Sequence, residues 1–116
     1  MGVVQKGCPR REFMEFVRFA TDVPLDAYLR CTAGLVDHDA SDVFAEIQEP
    51  VLMLAADNDV FVNAEECRTF AARLPHGRFE LLHSGSHAVT LEYGTDVAQR
   101  IRRFVRTPDV AVGCAA

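Results

Sequence analysis

Residues 51–56, VLMLAA, follow Pro50 as an unbroken apolar run. The run is too short for an ordinary helix and lacks the alternation of a half-solvated strand, so it reads as a strand buried on both faces of a parallel sheet. A parallel neighbour needs a long crossover, which commits this part of the chain to an α/β arrangement. The following residues supply that crossover. Asn63 is placed to cap a helix over AEECRTFAARL, whose Cys67, Phe70, Ala71 and Leu74 face inward, and Pro75 and Gly77 break it. RFELLH reads as the second strand. After the loop SGSHAVTLEYG, the run TDVAQRIRRFV sets Val97, Ile101, Phe104 and Val105 on one helical face. Strand, helix, strand, helix with short connections is expected to form a right-handed crossover unit.

The residues before Pro50 read as helical only. Phe13, Phe16, Val17 and Ala20 recur at the spacing of a single helical stripe, the mark of a packing helix. Asp22 is a candidate N-cap and Pro24 sits near the first turn of a second helix, with Leu25, Tyr28 or Leu29, Thr32 and Val36 as its inner face. In HDASDVFAEI, Asp39 or Ser41 can cap a short turn bearing Val43, Phe44 and Ile47. The expected organisation is one partial domain: a helical segment 1–49, a strand–helix–strand–helix segment 50–106, and a loose tail 107–116.

Charge and cysteine usage narrow the partners. Seventeen acidic against twelve basic residues give a net charge of −5, which disfavours nucleic acid. Arg100, Arg102, Arg103 and Arg106 read as a solvated face whose cations suit the end of a helix dipole. No apolar run approaches the roughly 20 residues of a membrane span, and MGVVQKGCPRR lacks a signal core, so a cytoplasmic protein without membrane anchoring is expected. Cys8, Cys31, Cys67 and Cys114 form no C-x-x-C pair, and read as reduced small hydrophobes rather than a zinc or redox motif.

In an open parallel sheet, reactive groups gather in loops beyond the carboxyl ends of the strands. The loop after the first strand, AADNDVFVN, offers Asp57 and Asp59. The loop after the second, HSGSHAVTLE, offers His83, Ser84, Ser86 and His87. A carboxylate beside an imidazole fixes its tautomer and stabilises the imidazolium formed when the far nitrogen takes a proton. His83 and His87 stand four apart, but Gly85 between them argues for a loop, where that spacing does not align two metal ligands; no metal is expected.

EPVLMLAADNDVFVN resembles the segment around the triad acid of α/β-hydrolases, and GSHAVTLEYGTDVAQRIRRFV the segment holding their triad histidine and last helix. The resemblance covers residues 47–105, and the preceding helices look like the end of the cap that these enzymes insert. It implies a partial α/β-hydrolase fold, with Asp59 rather than Asp57 as acid, His87 rather than His83 as base, and no cofactor. Ala56 stands where the family usually has Gly, and Asn63 where it often has Pro. The family's nucleophile lies on an upstream G-x-S-x-G turn. No two glycines here are four apart, and the only serines are Ser41, Ser84 and Ser86. The expected function is therefore that of a C-terminal fragment or split part of a hydrolase of ester, amide or carbon–carbon bonds. It is inactive alone and meets a small-molecule substrate only when completed. The rival expectation is a noncatalytic remnant or an interaction module that self-associates through a bare sheet edge. In either case Asp59 and His87 are expected within hydrogen-bond or one-water reach, with Asp57 and His83 pointing elsewhere.

Overall fold

A computed structural model of the chain describes residues 3–106; the tail expected over 107–116, with Cys114, lies outside the described residues. Strands β1 (Val51–Ala56) and β2 (Gly77–Leu82) pair in parallel, from Val51 opposite Gly77 to Ala56 opposite Leu82. Helix α3 (Ala64–Arg73) makes the crossover and packs on both strands. Asn63 starts it: the side-chain oxygen accepts from the Glu65 and Glu66 N–H groups at 2.8 and 3.3 Å, pairing two donors that a helix start leaves open. At the far end a Cβ on Gly77 would overlap the Ala71 carbonyl oxygen, so only glycine lets β2 begin this close to α3. Helices α4 (Val89–Glu92) and α5 (Gly94–Arg106) follow. Arg100, held by Asp96 at 3.1 Å, donates to the Glu80 carboxylate at 3.0 Å and the Leu81 carbonyl at 3.4 Å, which fastens α5 to β2. Helices with a parallel two-stranded sheet fit a partial α/β fold.

Helix α1 (Arg10–Thr21) and helix α2 (Leu25–Val36) precede the sheet, followed by a 3-10 turn at Phe44–Glu46. Here the structure departs from the sequence expectations. Neither helix has a buried residue, and Phe16, Leu25 and Val36 are 59%, 70% and 81% exposed. An apolar stripe is a demand for a partner surface, and among the described residues no element presents one broad enough. The same shortage reaches the sheet: only Ala55 and Ala56 of β1 are buried, because two strands covered chiefly by α3 leave Val51–Leu54 part-exposed. On α5 Val97 is buried, whereas Ile101 and Val105 are exposed.

Local starts and stops also differ. Asp22 closes α1 rather than opening α2, and α2 begins after Pro24 without a side-chain cap, since the missing proline N–H falls outside the helix. Asp39 accepts from the Ser41 N–H at 2.8 Å in a local turn, while Val43 precedes the 3-10 turn. The expected histidine loop contains α4, a single turn too short to show a period. No helix among the described residues is long and apolar enough to cross a membrane.

Candidate active site

The parallel ladder continues past the strand ends. The Asp57 N–H donates to the Leu82 carbonyl at 3.2 Å and the Asn58 N–H to the Gly85 carbonyl at 3.0 Å, so the two loops leave the sheet stitched together. Gly85 is required at this contact, where a Cβ would lie 2.5 Å from Val89 Cγ2 and 3.1 Å from the Ala56 Cβ. Ser84, at φ 65°, takes the left-handed conformation that turns the chain into the second loop.

Asp59 and His87 meet across these loops. His87 Nδ1 lies 3.0 Å from Asp59 Oδ2 and 3.1 Å from Oδ1. The Asp59 side chain is 11% exposed, and its Oδ1 also accepts from the Phe61 N–H at 2.8 Å and the Val62 N–H at 3.1 Å. Burial pushes the Asp59 carboxyl upward. The Phe61 N–H, the His87 hydrogen bond, the Val62 N–H and the His87 charge together outweigh it and hold the group below the usual carboxylate range. An ionised carboxylate only accepts, so Nδ1 carries the proton and Nε2 is left as the basic nitrogen. The Phe61 ring meets the imidazole edge-to-face at 4.9 Å, giving it an apolar wall.

A second pair, which the sequence reading did not anticipate, stands beside the first: His83 Nδ1 lies 3.2 Å from Asp57 Oδ2. The signal for it was available. Asp57 and His83 each follow their strand directly, so the register that sets Ala56 opposite Leu82 sets them opposite each other. This pair is far more open, with His83 77% exposed. Among the described residues no group of three or more His, Cys, Asp or Glu could hold a metal ion.

Neither loop serine is placed as a nucleophile. Ser86 is fully buried; its hydroxyl lies 2.6 Å from Glu92 Oε1 and its N–H donates to Oε2 at 2.9 Å. Ser84 is exposed and accepts the Tyr93 hydroxyl at its carbonyl. Burial raises the Glu92 carboxyl, but hydrogen bonds from the Ser86 hydroxyl, the Gln5 N–H and the Ser86 N–H outweigh it and hold the group below its usual range. Nothing in the residue pattern marks Glu92 out, since it stands at the end of a one-turn helix. A cleft of about 760 Å³ lies between Val4–Gly7 and Asn58, Ser84, Glu92 and Tyr93, whereas Asp59 lines a smaller one of about 350 Å³ beside Phe61. The larger space is therefore not at the acid–histidine pair.

Over 83 residues the chain is 31% identical to the pimeloyl-[acyl-carrier protein] methyl ester esterase of three strains of Xanthomonas campestris pv. campestris, a stretch that covers 71% of this chain and 33% of the esterase. The chain thus spans about a third of the length of the curated relatives it matches. No family model matches, and no solved structure does. Together with the parallel strand–helix–strand unit, this distant similarity supports a hydrolase-type relationship of the α/β-hydrolase kind and nothing finer.

Proposed function

We propose that the chain supplies the acid and base of a serine-type hydrolytic centre that acts on an ester, and that the nucleophile comes from a separate segment bearing a G-x-S-x-G turn. One observation supports this above the others: His87 Nδ1 is held against a carboxylate that two backbone N–H groups fix in place. In the completed centre, Asp59 orients the imidazole. His87 Nε2 takes the proton of the attacking serine hydroxyl and returns it to the leaving alkoxide, and the acyl-enzyme is then hydrolysed by the same base acting on water. The ester class rests on the similarity to the Xanthomonas esterase. A small-molecule substrate and a cytoplasmic setting belong to the same proposal, and the free thiols of Cys8, Cys31 and Cys67 suit a reducing compartment.

The test is co-expression with a segment carrying the upstream strands and the nucleophile turn, assayed on short-chain 4-nitrophenyl esters. The chain alone is expected to hydrolyse these no faster than a histidine peptide. The complex should turn them over, with a loss of about 10⁴-fold on Asp59→Asn, which admits the wrong tautomer. A complex whose activity survives His87→Ala would overturn the proposal.

A further inference from the structure

The main-chain neighbours of His87 are held on one side by the Glu92 carboxylate directly and on the other by the Ser86 hydroxyl that this carboxylate engages. On the near side, Ser86 gives Glu92 both its N–H, at 2.9 Å to Oε2, and its hydroxyl, 2.6 Å from Oε1. On the far side, the Ala88 N–H donates to that same hydroxyl at 3.3 Å, so the serine oxygen is donor toward Glu92 and acceptor toward Ala88. The Val3 carbonyl lies 2.9 Å from the hydroxyl, but the charged acceptor is nearer and takes the single proton. Helix α4 makes this possible: one turn, closed by the Glu92 N–H on the Ala88 carbonyl at 3.0 Å, brings the carboxylate back beneath the loop. Ser86 is fully buried, so neither of its bonds to Glu92 is exchanged for water without opening the loop. Glu92 Oε1 also accepts from the Gln5 N–H at 2.5 Å, which ties residues 3–5 to the same point.

We infer that Glu92 is a positioning residue for His87: acting through Ser86, it sets the loop backbone so that the imidazole presents Nδ1 to Asp59 and leaves Nε2 outward. The inference rests on the role proposed for His87, but its reach is conformational and needs no nucleophile to be observed. Asp59 alone fixes one end of the side chain. The direction from which the ring arrives is set by the Ser86–Ala88 backbone, and within that stretch Glu92 is the charged group that grips it.

The experiment is NMR on the full chain labelled uniformly with ¹⁵N, which reports the histidine ring nitrogens and the backbone amides together, in solution or in the solid. The His87 signals are assigned by their loss in His87→Gln. In the unaltered chain His87 is expected as a single Nδ1–H tautomer. In Glu92→Ala it should shift to the mixed, mainly Nε2–H form of a free imidazole, while the Asp57 and Asn58 amide signals, which report the stitched strand ends, stay in place. Glu92→Gln, which keeps one acceptor oxygen, should restore part of the Nδ1–H population. A Glu92→Ala chain that retains the single tautomer overturns the inference and leaves the function proposed for His87 standing. A mixed tautomer already in the unaltered chain overturns both. Should Glu92→Ala lose the Asp57 and Asn58 signals, Glu92→Gln decides by the same criterion: an unchanged single tautomer there overturns the inference, and a partial shift supports it.

Discussion

Asp59 gives the pair an acid limit. Its carboxyl lies below the usual range in the folded chain, so ionised Asp59 stabilises the folded loop; that contribution is complete above the ordinary aspartate value of about 3.9 and disappears as pH falls through the lowered folded value. Glu92 carries the same sign, with its full contribution present above its ordinary value of about 4.3. Amide exchange at Phe61, Val62 and Ser86 is therefore expected to stay slow from neutrality down to about pH 4 and to quicken below it. Asp59→Asn should remove the acid transition at Phe61 and Val62 and leave it at Ser86. At this scale the sequence was legible only where a residue's position follows from strand register. Asp59 and His87 sit in loops that leave neighbouring strand ends, and so they meet. Asp57 and His83 lie on the strand register itself, one step past Ala56 and Leu82, and their meeting could have been read more directly. Glu92 could not, because its contact with Ser86 depends on a four-residue helix that no periodicity announces.

Helix α3 is the element on which the spacing of the two loops depends, since it is the link between β1 and β2. Its two ends make opposite demands. At the start, Asn63→Ala leaves the Glu65 and Glu66 N–H groups without their acceptor, at a cost of about 1 kcal/mol. At the end, Gly77→Ala drives a Cβ into the Ala71 carbonyl and to 2.8 Å from the Leu74 Cβ, for about 1–3 kcal/mol of overpacking. Urea titration should give a lower midpoint for Gly77→Ala than for Asn63→Ala; the reverse order would mean that α3 shifts to make room. The cap, the crossover and both strands were legible because Pro50, Asn63, Pro75 and Gly77 punctuate the chain at the boundaries the structure uses. Burial was not. Helical stripes on α1, α2 and α5 specify which side seeks cover, and cover is supplied by other elements, about which the stripe itself carries no information.

For the whole molecule this unmet demand is the dominant property. The radius of gyration is 16.8 Å, against about 13 Å for a compact domain of 100 residues. Phe19 is 75% exposed, Leu35 70% and Val36 81%. Apolar surface of this extent favours association, and both strands of a two-stranded sheet leave an outer edge open to pairing. The purified chain is expected to sediment as species larger than one copy and to bind a hydrophobic dye, and binding of a completing segment should reduce the dye signal. A monomer with a sharp unfolding transition would count against this and for a self-sufficient domain. The ladder that runs on from Ala56 and Leu82 into Asp57 and Asn58 has one more consequence. The separation of acid and histidine is a ruler made of two adjacent strands, and the residues just before Pro50 are no part of it. An extra residue there leaves the ruler unread. An extra residue inside β1 turns every later side chain of that strand to the opposite face of the sheet, so Asp59 and His87 would part while the strands still paired.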